Sequence, residues 1–112
     1  MERSHKSWGE KWNIFRNDTC EVSILELNPN RRCSWHKHQA KYNLFFVMEG
    51  EIFIKTNEGI AKVGEKQTFT TRPGEWHEFQ TGVLPAVVME TMYVQYESED
   101  IERETIGGPV DG

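Results

Sequence analysis

The sequence predicts an all-β, single-domain barrel, and three observations carry that expectation. Short stretches rich in β-branched and aromatic residues recur at near-regular spacing. Gly and Pro punctuate them, and no segment keeps the apolar period of a helix. With 112 residues the chain can build one core but not two. The domain therefore spans 1–112, with an ordered core over 8–103 and a mobile Gly/Pro-rich tail over 104–112. The opening residues, His5 included, read as loose.

The first strand is Cys20–Leu27, CEVSILEL, which stops at the turn cluster Asn28-Pro29-Asn30. Residues 33–38 form a short strand that carries His36 and His38. Residues 44–48 and 51–56 are two strands broken at Glu49-Gly50. Asn57-Glu58-Gly59 reads as a tight hairpin turn in which Gly59 takes a positive φ. Residues 60–63, 67–70, 76–80 and 86–96 complete the ladder, with turns at Gly64-Glu65, Arg72-Pro73-Gly74 and 82–85. A single helical turn at 98–103 is the most helix the pattern allows.

Composition narrows the partners. Hydrophobic residues make up 37% and aromatics 12%, enough apolar content to fold rather than stay disordered. The net charge of −5 and the lack of a basic stripe argue against a phosphate-backbone partner, so no nucleic acid is expected. No stretch approaches the roughly 20 apolar residues of a membrane span, and residues 1–10 lack the apolar run of a signal peptide. The expected location is cytoplasmic, with no membrane partner. Cys20 and Cys33 form no CxxC pair and read as reduced and structural.

Chemistry concentrates in three of the four histidines. On an extended strand His36 and His38, two residues apart, point the same way. Two imidazoles on one face repel when protonated and compete for donors when neutral; a divalent metal at about 2.1 Å from each removes both problems. His77, in Pro73-Gly74-Glu75-Trp76-His77, supplies a third ligand if its strand lies alongside. The competing reading is a set of core or rim histidines with no metal. One divalent transition metal (Fe, Mn, Zn, Ni or Co) is the expected cofactor. Alternation turns Cys33 and Trp35 away from the histidine face.

From His36-x-His38 the chain runs four residues to Asn43 and six more to Gly50; later come Gly64, Pro73-Gly74 and His77. This spacing resembles the two motifs of the cupin superfamily, the first being HxH, three or four residues, Glu, six residues, Gly. The resemblance implies a conical double-stranded barrel, or jelly roll, with a metal held between facing strands. Trp8-Gly9, Ser34-Trp35-His36, Gly50, Pro73-Gly74, Glu90 and the 99–103 phrase EDIER also resemble the mannose-6-phosphate isomerase type II cupin domain. That branch implies isomerase chemistry on a small molecule such as a sugar phosphate.

One departure stands out. The Glu ligand of the first motif is Asn43 here, and the isomerase branch typically has Gln where His36 stands. The site loses a negative charge and a candidate base, which makes a three-His iron dioxygenase the alternative enzyme. A non-catalytic binding module is the third reading. Asn43 either ligates weakly through its amide oxygen or caps the turn into Leu44. Glu90 shares an alternation class with Val88, Met92 and Val94, so it is either a catalytic acid/base candidate or a solvent-facing carboxylate. Trp35, Phe45, Phe53, Trp76 and Phe79 supply mostly core, with two of them available to line the mouth, and Tyr42 and Glu75 flank it. The expected partners are a small-molecule ligand and a second copy in a homodimer, through apolar surface at Leu25, Leu27 and the 86–96 strand.

Overall fold

The structure, a computed structural model, describes residues 1–94 and 107–110. It contains nine strands: β1 (Glu2–Lys6), β2 (Gly9–Arg16), β3 (Cys20–Leu27), β4 (Tyr42–Glu49), β5 (Ile52–Thr56), β6 (Gly59–Val63), β7 (Thr68–Thr71), β8 (His77–Gln80) and β9 (Ala86–Tyr93). One sheet has the order β1-β2-β3-β9-β4-β7 and the other β6-β5-β8, and every pairing is antiparallel. The expected all-β class holds among the described residues, none of which forms a helix long and apolar enough to cross a membrane.

The two sheets close over one core because their strands bury alternate residues. Leu25 and Leu27 of β3, Phe45 and Val47 of β4, Ile52 and Ile54 of β5, and Ala86 and Val88 of β9 all lie inside. Each fully buried side chain of Val, Leu, Ile or Phe contributes roughly 1.5–3 kcal/mol relative to exposure. Leu25 and Leu27 are therefore not the dimer surface that the sequence reading assigned to them. A strand read in isolation shows two faces, and only its neighbours decide which one turns inward.

Three further expectations change. The opening residues, His5 included, are not loose: β1 and β2 form a hairpin whose second strand pairs with β3. Its polar, charge-rich sequence hid it, because most of its side chains are exposed or half-buried. Residues 33–38 do not form a regular strand; two isolated bridges, Arg32 to Gln80 and His36 to His77, tie that segment to β8. The strand expected over 86–96 ends at Tyr93. The helical turn at 98–103, and with it the end of the 8–103 core, lies outside the described residues.

Two glycines secure the hairpin turns for different reasons. Gly59 has φ +131° and open space where a Cβ would point. Gly9 has φ +148°, and its Cβ would stand 1.9 Å from the Glu26 carbonyl oxygen on β3. We expect Gly59→Ala to cost only backbone strain, about 1–3 kcal/mol. Gly9→Ala adds a clash with backbone that cannot rotate away, so its loss in urea-unfolding free energy should be the larger. Equal losses would contradict the close β2–β3 approach.

Candidate metal centre and its cavity

His36 and His77 form a mutual backbone pair: His36 N donates to His77 O at 3.0 Å and His77 N to His36 O at 2.8 Å. His38 is fixed one step further on, where its carbonyl accepts from Gly74 N at 2.8 Å. The rings converge as the spacing suggests, with centroids 5.1 Å (His36–His38), 4.5 Å (His36–His77) and 5.5 Å (His38–His77) apart. One nitrogen from each lies within 4.8 Å of the others, so the three could hold a metal ion. Two imidazoles on one ion stand up to about 4.2 Å apart, within reach of a small ring rotation.

The hydrogen bonds behind the rings set their tautomers. His77 Nδ1 lies 3.0 Å from the Glu75 carbonyl and His36 Nδ1 2.7 Å from the Ser34 carbonyl. A carbonyl only accepts, which assigns the proton to Nδ1 and leaves the Nε2 lone pair facing the cluster. Nε2 of His77 and of His38 are buried with no hydrogen-bond partner. Burial lowers the pKa of both rings, helped by the charge that His36 would carry if protonated. Unpartnered neutral imidazole nitrogens in a buried cluster fit a metal and are costly without one.

Asn43 and Glu90 meet beside this cluster. Asn43 sits inside β4, almost fully buried, rather than capping a turn, and its Nδ2 donates to Glu90 Oε2 at 3.0 Å. Its Oδ1 has no partner. Glu90 is the alternation mate of Val88 on the inner face of β9, so the solvent-facing reading is overturned. Burial raises its pKa, against opposing pulls from Lys11 and the Asn43 amide. Thr71, paired with Asn43 across β4 and β7, is a member the sequence did not announce; its buried hydroxyl also lacks a partner.

A cavity of about 310 Å³ opens onto this group, lined by His36, His38, Glu90, Cys33, Phe79 and Met92 among others. Cys33 faces the interior, contrary to strict alternation, because residues 33–35 leave strand geometry. Its sulfur accepts from Phe79 N at 3.1 Å, and burial pushes the thiol up to about 12. The remaining wall comes from the N-terminal hairpin through Lys6, Trp8 and Lys11, none of which the sequence reading placed at the site. Trp8 beside Gly9 was the available signal: a large indole next to a glycine turn, here edge-on to Phe79 at 5.2 Å.

The cupin domain family matches residues 23–92, a stretch that runs from β3 into β9 and includes all three ligand candidates. The chain belongs to that family. Solved cupin-fold structures agree. The match to TT1209 from Thermus thermophilus has a TM-score of 0.70 at 18% identity, covering 75% of this chain and 81% of that one. KdgF from Halomonas sp. gives 0.76 at 7%, covering 86% and 90%, and the Cnp3 cupin domain of Schizosaccharomyces pombe 0.76 at 10%, covering 85% and 69%. At these identities the likeness concerns the fold. No curated protein matches the chain in sequence. Nothing in these matches singles out the mannose-6-phosphate isomerase branch.

The other residues the sequence picked out are scattered around this cupin. Phe45 and Phe79 belong to the core. Trp35 and Trp76 stack on each other at 6.1 Å on the outside, with Lys55 and Lys37 over their faces. Tyr42 stacks on Tyr93 at 5.2 Å. Glu75 contributes through its carbonyl, which orients His77, while its carboxylate accepts from Arg72 N.

The lowered His38 pKa gives a signed pH dependence. The folded, metal-free protein favours the neutral ring, whereas the unfolded chain takes up its proton near the ordinary 6.5. The stability of the wild type relative to His38→Gln should therefore fall as pH drops below 6.5 and level off under the depressed folded pKa. Urea midpoints of both proteins from about pH 8 to about pH 5 check this. A difference that stays constant would refute the buried neutral ring.

Proposed function

We propose that this cupin binds one divalent transition metal through His36, His38 and His77, with Asn43 Oδ1 as a weak fourth donor. The metal serves proton transfer on a small hydroxy-carbonyl molecule in the cavity. The observation that carries the reading is the set of buried, partnerless acceptors, Nε2 of His38 and His77 and Oδ1 of Asn43, beside an inward carboxyl. When bound, the metal would supply Lewis-acid polarisation of a substrate carbonyl. Glu90 is the residue in reach to move the proton: its carboxylate takes it from the hydroxyl-bearing carbon beside that carbonyl and returns it to the former carbonyl carbon. The hydroxyl proton passes to the former carbonyl oxygen, so that a new carbonyl forms where the hydroxyl stood. Asn43 Nδ2 holds Glu90 in place for that exchange. This chemistry is the isomerisation of an aldose to a ketose, and a sugar phosphate is a fitting substrate in size.

A second reading rests on one specific observation. Asn43 stands where a carboxylate ligand is usual in the motif, so the donors are neutral and an iron site for oxygen-dependent cleavage also fits them. Metal analysis and solvent exchange separate the two. The isomerase reading expects zinc, manganese or another divalent ion in the purified protein, and deuterium from D2O appearing in a sugar-phosphate probe by NMR. Glu90→Gln should cut that exchange by roughly 10²–10⁴-fold with the metal retained. Iron with oxygen consumption and no exchange would favour the dioxygenase. His38→Ala should lose the metal while keeping a folded circular dichroism spectrum; a variant that binds metal as the wild type does would remove the basis for both.

A further inference from the structure

The N-terminal hairpin brings two ammonium groups to the cavity of an otherwise acidic protein. Lys6 and Lys11 both line it, and Glu90, already engaged by Asn43, is the one carboxyl lining it among the described residues. Lys11 is held in a definite place: it pairs with Leu25 in the β2–β3 register, and only 21% of its side chain is exposed. Lys11 Nζ is also salt-bridged to Glu21, on the same face of β3 as Leu25. Glu21 Oε1 takes Asn13 Nδ2 at 3.0 Å and Arg16 at 3.2 Å, and Lys11 Nζ only at 3.4 Å. An ammonium has three donors, so donors of Lys11 remain free while Glu21 stays satisfied without it.

Around the histidine cluster the donors are neutral, so a divalent ion bound there would keep its full charge. Among the described residues, two lysines beside such an ion, with Glu90 as the lining carboxyl and Glu21 shared between Lys11 and Arg16, leave a positive excess that an anionic ligand would offset. We infer that the substrate is a small organic anion, a phosphate ester or a carboxylate, whose anionic group is seated on Lys11 while its other end faces the histidine cluster. This inference rests on the metal-site reading for the position of the reacting end and on the hairpin alone for the anionic end. A cavity of about 310 Å³ is in the range that takes a small organic molecule. The hairpin that a strand-pattern reading left out thus becomes the part that selects the ligand's charge.

Isothermal titration with glycerol phosphate and with succinate tests this on metal-loaded and metal-free protein. The comparison runs across the wild type, Lys11→Met, and Lys62→Met, an outer-face lysine paired with Glu51. The expected result is binding of at least one probe to the wild type, weakened tenfold or more in Lys11→Met and unchanged in Lys62→Met. Which probe binds tells phosphate from carboxylate, and uncharged glycerol should not discriminate among the proteins. Lys11→Met should keep the wild-type melting temperature, since Glu21 retains two partners. Equal affinity in Lys11→Met and wild type, or no binding of either anion, overturns the inference. Because the metal-free titration reads Lys11 by itself, a failure to bind metal would count against the proposed function and leave this comparison decisive.

Discussion

The two hydrogen bonds between His36 and His77 hold the site together. Residues 33–38 have no regular strand of their own, and this pair, with the Arg32–Gln80 bridge and the Cys33–Phe79 contact, fastens them to β8. Without that clamp, His36 and His38 would sit on a free segment and His77 alone would stay in place. The clamp also fixes ring orientation, because the Ser34 and Glu75 carbonyls that take the Nδ1 protons lie two residues before each ring. A backbone pairing thus does for the cluster what a second layer of side chains does in many metal sites.

Around this clamp the barrel divides its labour. The core side, with Phe45, Val47, Ile52 and Ile54, is apolar and buried, and it carries the strands on which the cluster is mounted. The cavity side is mixed: a carboxyl, a thiol, two lysines and an indole stand among apolar neighbours. Burial shifts His38, His77 and Glu90 toward their neutral forms, in keeping with the metal binding and proton exchange proposed for them. The lysines come from the N-terminal hairpin, Lys6 exposed and Lys11 mostly covered.

The exchange of a carboxylate for Asn43 has a structural counterpart. On the adjoining strand β9, Glu90 places a carboxyl beside the amide, which donates to it. The oxygen of that amide is buried and without a partner.

Local pattern alone determined most of the strands from Cys20 onward and the Gly59 turn, because each depends on residues close in the chain: period-two side-chain direction, or a glycine able to take positive φ. The convergence of His36 and His38 came from the bridges to β8. Local pattern did not determine which face is inner. Leu25, Leu27 and Glu90 turn inward because the opposing sheet covers that side, and Cys33 because its segment follows β8 rather than strand geometry. The hairpin carrying Lys6, Trp8 and Lys11 was illegible for the same reason. Its residues are polar and mostly uncovered, and their place at the cavity arises only when β2 pairs with β3, a contact between segments that no local periodicity records.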